Sequence, residues 1–196
     1  MHRSSFSGRV KLVSVSPHGD PEGFWLEDDT FVKVPPHTVL ARERFRVGNL
    51  AEGSGELFEL ASGAEGNTAL SARGVDRVFH RALVLLDGVP ATSDPEDKAL
   101  DETLKAQHKQ VNEARKGAVP GREITLSARI LGLGLRPHGP REVDRLFLEG
   151  NVSAHLPKEL HAETADLKLG DAVTVVGEAR EFALGTFLKV KALRRS

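Results

Sequence analysis

The four residues Phe24-Trp25-Leu26-Glu27 return as Leu146-Phe147-Leu148-Glu149, and Val34-Pro35 returns as Leu156-Pro157. Both matches are 122 residues apart, as are Val47-Gly48 and Leu169-Gly170. An earlier match, Ser16-Pro17-His18-Gly19 with Arg136-Pro137-His138-Gly139, is offset by 120, so the second copy gains two residues in this turn and otherwise keeps step. Self-similarity at a fixed spacing marks a duplicated unit, which has to be recognised before its elements are assigned.

Within each copy the elements come in one order. A period-2 stretch (Val10, Leu12, Val13 and Val15; Ile124, Leu126, Ile130 and Leu133) precedes the Pro-His-Gly turn. A hairpin follows, and Pro35 or Pro157 ends its second strand. Apolar residues at helical spacing come next, Val39-Leu40 with Phe45 and Val47, or Leu160 with Leu167. A strand around Leu50 to Leu60, or Ala172 to Phe182, precedes a last one around Thr68 to Val75, or Thr186 to Leu193. Three strands, a short helix and two more strands is the order of an oligonucleotide/oligosaccharide-binding (OB) barrel, whereas an SH3-like barrel lacks the helix after strand three. The expected fold is mainly β: two five-stranded OB-like barrels in tandem, with short helices and a connecting helix. The first barrel spans residues 5–86, a linker with the helix 87–120, and the second barrel 121–196.

In the linker, Ser93-Asp94-Pro95-Glu96 has the form of a capping box with proline in the first turn, which predicts a helix over most of residues 94–116. Leu100, Leu104, Val111 and Ala114 form one thin apolar stripe, and Gly117 with Pro120 supplies the stop. The stripe predicts a helix laid against one barrel, with a free-standing linker as the alternative.

The chain has no cysteine, which excludes disulfides, thiolate metal sites and cysteine nucleophiles, so each core must stand on packing alone. No apolar run is long enough to span a bilayer, and the residues after Met1 lead into a strand pattern, so a cytoplasmic location without membrane partners is expected. A net charge of −1 gives no global attraction to polyanions, so any nucleic-acid footprint has to be local. Residues 122–196 carry twelve Lys/Arg against ten Asp/Glu, while residues 1–80 carry nine against eleven, which makes the second copy the better anion binder by a small margin.

The run from Pro17-His18-Gly19 through Gly23-Phe24-Trp25-Leu26-Glu27-Asp28-Asp29 to Val34-Pro35-Pro36-His37 resembles a group of uncharacterised bacterial OB-like proteins, often tandem, with a pattern like P-x-G-x-x-x-G-x-L-L-x-D-G-x-x-V-x-F-P-P-H. The second copy fits loosely, with Arg145 at the position of Gly23 and Lys158 at that of Pro36. The resemblance implies the fold and the tandem arrangement, a general expectation of nucleic-acid binding, and no particular activity.

Hairpin register decides which side chains a ligand could reach, because a slip by one residue exchanges the faces. A three-residue turn at Asp28-Asp29-Thr30 places Phe24, Leu26, Val32 and Val34 on one face, and a turn at Gly150-Asn151-Val152 does the same for Leu146, Leu148, Ala154 and Leu156. Both faces are apolar and are expected to be core, with Asp29 and Asn151 suited to a left-handed turn position. The outward face then carries Trp25, Phe31 and Lys33 in one copy, and Phe147, Ser153 and His155 in the other. Aromatics beside cations on strands two and three suit base stacking. Aromatic patches are also what internal interfaces use, which favours covering by another part of the chain.

Arg136, Arg141 and Arg145 form the best local basic cluster, interleaved with Glu142 and Asp144. The eight histidines show no metal-ligand spacing, and His18 and His138 read as turn histidines bonding the backbone. No phosphate loop, zinc-protease or nucleophile-elbow motif is present, and Gly132-Leu133-Gly134 sits in a strand pattern without the third glycine of a dinucleotide fingerprint. The sequon Asn151-Val152-Ser153 reads as chance. The expectation is a non-enzymatic binding protein without cofactor or metal, a tandem OB module for single-stranded DNA or RNA at Trp25, Phe31, Lys33, Arg136, Arg141, Arg145, Phe147 and His155. The alternatives are a protein-interaction module, or a small-ligand or sugar binder using the same faces.

Overall fold

The computed structural model describes residues 2–59, 74, 77–135 and 143–196. Five strands form the first barrel: β1 (His2–Val15), β2 (Pro21–Leu26), β3 (Phe31–Lys33), β4 (Leu50–Glu59) and β5 (Arg77–Leu86). They lie in the order β3-β2-β1-β4-β5, and a parallel pairing of β3 with β5 closes the ring. A short β6 (Val89–Pro90) and one helix, α1 (Lys98–Arg115), follow. Strands β7 (Arg122–Leu135), β8 (Val143–Leu148), β9 (Val152–His155), β10 (Ala172–Phe182) and β11 (Gly185–Arg195) repeat the arrangement as β9-β8-β7-β10-β11, closed by parallel β9 and β11. Both copies are therefore closed five-stranded barrels of OB type.

The long first strand of each barrel serves two neighbours. Residues 2–9 of β1 pair with β4 and Val10 onward with β2, with a register shift between Val10 and Leu12. In β7 the corresponding shift falls between Ile130 and Gly132. Bulges at these points bend the strand so that one segment turns a barrel corner.

Each hairpin turns one residue earlier than the sequence suggests. Trp25 pairs with Phe31 and Phe147 with Ser153, leaving Glu27-Asp28-Asp29 and Glu149-Gly150-Asn151 as the turns. The shift moves both partners together, so the side-chain parity is unchanged. Phe24, Leu26, Val32 and Val34 are buried in the first barrel, and Leu146, Leu148, Ala154 and Leu156 in the second. Asp29 (φ 64°) and Asn151 (φ 57°) take the left-handed turn position.

Two further expectations need correcting. The last strand of the first barrel is β5, further along than Thr68 to Val75, a segment that lies outside the described residues apart from Gly74. The second barrel joins β10 to β11 through Ala183 and Leu184, whereas residues 60–76 separate β4 from β5, so the repeat spacing fails there. The short helices are 3-10 turns (Pro36–Thr38, Arg42–Arg44, Lys158–Leu160 and Ala162–Thr164). Phe45 and Leu167, 122 residues apart, anchor them in the cores, while Leu40 and Val47 stay exposed.

The helix starts at N-cap Asp97, whose side chain accepts from the Leu100 amide, and not in the Ser93 box. Residues 91–93 stay extended because they pair with the first barrel: Ser93 N donates to Thr38 O (2.8 Å) and Thr92 bridges Val39. The helix lies against the first barrel through a polar face. His37 meets the buried Asp101 at 2.6 Å, and Arg115 meets Asp20 at 3.0 Å. The apolar stripe adds little to the contact, since Leu100, Val111 and Ala114 are exposed and Leu104 is half-buried beside the groove that Val39 and Leu40 line.

Candidate functional site

The aromatic face expected to meet a ligand is closed off inside the molecule. Trp25 and Phe147 have 0% exposure and Phe31 has 2%, because the β2–β3 face of one barrel packs on the β8–β9 face of the other. Phe31 stacks on Trp25 (centroids 5.3 Å apart, 25° between planes), and Phe147 meets both rings at 5.9 and 5.4 Å. The core of the second barrel runs on without a break into Trp25, Phe31, Leu12 and Val78 of the first. Lys11 lies 5.5 Å from the centre of the Trp25 ring. Base stacking on Trp25, Phe31 or Phe147 is therefore ruled out by packing, and the reading in which the chain covers its own aromatics holds.

Two features that the sequence left unexplained belong to this junction. A Cβ on Gly132 would fall 2.4 Å from Cε2 of Trp25, so the strand glycine exists to admit the indole. The sequon side chains are structural: Asn151 Oδ1 accepts from Val13 N (2.9 Å) and its Nδ2 donates to Leu184 O, while Ser153 Oγ accepts from Val15 N (2.9 Å). Together they satisfy the buried edge of β1 beyond its pairing with β4, where the backbone would otherwise lack partners.

The polar members of the expected site border this junction. Arg145 donates to Glu22 Oε2 (2.6 Å) and Ser14 Oγ (3.0 Å), and its buried Nε has no partner among the described residues. His155 packs edge-on against Phe187, with Nε2 3.9 Å from Glu22. Burial, with Arg145 and Lys33 nearby, pushes its imidazole down to about 2, so it is neutral at physiological pH. Arg136 and Arg141 lie outside the described residues.

Lys33 and Arg145 do share an open feature. A cavity of about 230 Å³ is lined by Glu22, Lys33 to Pro36, Glu56, Phe58, His80, Arg81 and Arg145. Phe58 and His80 meet edge to face at 4.7 Å and form its aromatic wall. A bulge places the adjoining cation. Ser54 pairs with Leu83 but Glu56 with His80, and Arg81 (φ 47°) takes the left-handed conformation opposite Gly55, whose own Cβ would lie 2.9 Å from His80 O. This turns Arg81 toward Pro95 O, 2.7 Å away. An aromatic wall with three cations and two carboxylates around it can hold a flat ring carrying negative charge. Sequence reading missed Phe58, His80 and Arg81 as site residues; the strand expected around Leu50 to Leu60 covered Phe58 without marking it.

Among the described residues no group of three or more His, Asp or Glu could hold a metal ion. Several histidines have structural partners: His37 with Asp101, and His161 Nε2 with Leu156 O at 3.2 Å. No described helix is long and apolar enough to cross a membrane.

No family model and no curated protein matches the chain. Solved structures of the single-stranded DNA binding protein from Thermus aquaticus, wild type and a deletion mutant, are similar at 16% identity, covering all of this chain and 93% and 94% of theirs. Their TM-score is 0.28, too low for the whole chains to superpose, so the fold rests on the strand order of this chain itself.

Proposed function

We propose that this protein is a non-enzymatic binder of single-stranded nucleic acid that takes a base into the cavity of its first barrel, and not onto its hairpin aromatics. The observation that carries this reading is the pairing of the Phe58–His80 wall with Lys33, Arg81 and Arg145 at one opening where β3 and β5 close the barrel. A base against such a wall is worth roughly 1 to 3 kcal/mol, and sequence matters little because every base has a π-face. Glu22 and Glu56 moderate the local charge, so binding is modest and weakens as salt rises. If Lys33 and Arg81 each neutralise one phosphate, log K falls with log salt at a slope of about −1.4, from about −0.7 per contact on a single strand.

Fluorescence polarisation with mixed-sequence labelled oligonucleotides at low salt tests this. Phe58→Ala weakens binding by roughly 1 to 3 kcal/mol, and Lys33→Ala flattens the salt slope. Trp25 emission stays constant throughout, since the indole is buried. Equal affinity of Phe58→Ala and wild type would overturn the reading. A second reading, a protein-interaction module, is favoured by exposed Leu40 and Val111, which border one groove between α1 and the first barrel.

A further inference from the structure

We propose a second ligand site, distinct from the Phe58 cavity, that takes a phosphate group where three parts of the chain converge. A cavity of about 250 Å³ is lined by Pro17 and His18 of the first barrel, Arg42 of its 3-10 turn, Arg115 near the end of α1, and Arg180 and Phe182 of β10. Three guanidinium groups from segments far apart in sequence thus share one small opening with an imidazole.

Charge bookkeeping favours an anion. Arg42 and Arg115 share a single carboxylate, Asp20, at 3.5 and 3.0 Å, and Arg180 has Glu178 at 3.2 Å. His108 lies 3.8 Å from Asp20. Three guanidiniums therefore face two carboxylates, each guanidinium offering five donors. The remaining contacts are to carbonyls, Arg42 with Gly19 O (2.8 Å) and Arg180 with Pro17 O (3.3 Å), which neutralise nothing. The buried Nε of Arg180 has no acceptor among the described residues. Arginine's planar fork matches phosphate oxygens two at a time. The carbonyl end of α1 opposes an anion, but the last turn spends part of that capacity on its own amides: Lys116 N bonds Glu113 O and Ala118 N bonds Arg115 O.

The Pro-His-Gly turn is built for this junction. Gly19 is left-handed (φ 84°), and a Cβ there would lie 2.4 Å from the Phe182 ring, so the ring of the second barrel lies against the turn of the first and forms one wall of the cavity. His18 is held by the same turn, whose Ser16 Oγ accepts from the amides of His18 and Asp20.

The chemistry recognised is a phosphate group, whether on a small molecule or at the end of a strand. Isothermal titration of the full chain with inorganic phosphate, and with nucleoside monophosphate, is compared for wild type, Arg180→Gln, Arg115→Gln, His18→Ala and Phe58→Ala. Saturable phosphate binding is expected, at least roughly tenfold weaker in Arg180→Gln and Arg115→Gln, from loss of a charge-assisted hydrogen bond, and unchanged in Phe58→Ala. Arg180→Lys, which keeps the charge and loses the fork, falls between, which covers the case in which Arg115→Gln releases the helix. Oligonucleotides with and without a 5′-phosphate separate the sources: a preference for the phosphorylated strand that Arg180→Gln abolishes assigns the site to strand ends, and equal affinity assigns it to small phosphates. No saturable phosphate heat, or thermal stabilisation by phosphate no greater than by chloride at equal ionic strength, overturns the proposal.

Discussion

Phe147→Ala tests whether the two barrels are one folding unit. Phe147 is fully buried and touches Trp25 and Phe31 across the junction, within a core that extends from the second barrel into the first. Truncating a fully buried phenylalanine costs about 3 to 5 kcal/mol, lost transfer energy plus the cavity left behind. The two ring–ring contacts, worth about 0.5 to 1.5 kcal/mol each, push toward the upper end. Against a total stability of about 5 to 15 kcal/mol that is a large fraction. Urea unfolding followed by Trp25 fluorescence and by far-ultraviolet circular dichroism should coincide in one transition for wild type. In Phe147→Ala the fluorescence midpoint should fall and separate from the dichroism midpoint, because the indole reports the junction while most strands remain. A loss under about 1 kcal/mol with coincident transitions would refute the shared core, since a site of that kind behaves as surface.

Gly132→Ala should destabilise the protein by about 1 to 3 kcal/mol, because its Cβ meets the rigid indole and overpacking at such a contact forces a backbone or ring shift; a neutral result in the same denaturation assay would mean the junction is looser than Trp25 implies. Stability should also fall on the acid side. The His155 imidazole, held down near 2 by burial, stays neutral in the fold while the unfolded chain protonates it below about 6.5. Its contribution is therefore complete above that pH and declines as pH drops, by at most about 1.4 kcal/mol per unit. His108, lowered mainly by burial, acts in the same direction, and Asp101, lowered by Lys105 and His37, adds a loss only below the ordinary carboxylate range. Urea midpoints at pH 7.5, 6 and 5 (chosen to bracket about 6.5) should descend, less steeply in His155→Gln; a flat series would contradict the burial of His155.

The repeat, the barrel order and the inward face of each hairpin were legible because they depend on periodicity and local chemistry. Phe24 and Leu146 point inward since alternation in a strand permits two faces only, and even a turn misplaced by one residue left that parity intact. Asp29 and Asn151 could be placed because short polar side chains tolerate a left-handed backbone. The helix was visible too, but its start was delayed to Asp97, since residues 91–93 had better partners on the first barrel. The closing strand β5 escaped because an insertion broke the spacing on which the repeat argument rests.

What the outward face meets was settled only in three dimensions. Alternation distinguishes two faces of a strand and carries no information on whether the second faces water or another sheet. Trp25, Phe31 and Phe147 have the composition of a stacking surface and of an interface alike, and the distant glycine that admits the indole, Gly132, lies in another barrel. The same holds for the clusters that form the open cavities. Arg42, Arg115 and Arg180, or Lys33, Phe58 and Arg81, are unremarkable where they stand in the chain, and become sites because barrel closure and barrel docking bring their segments together.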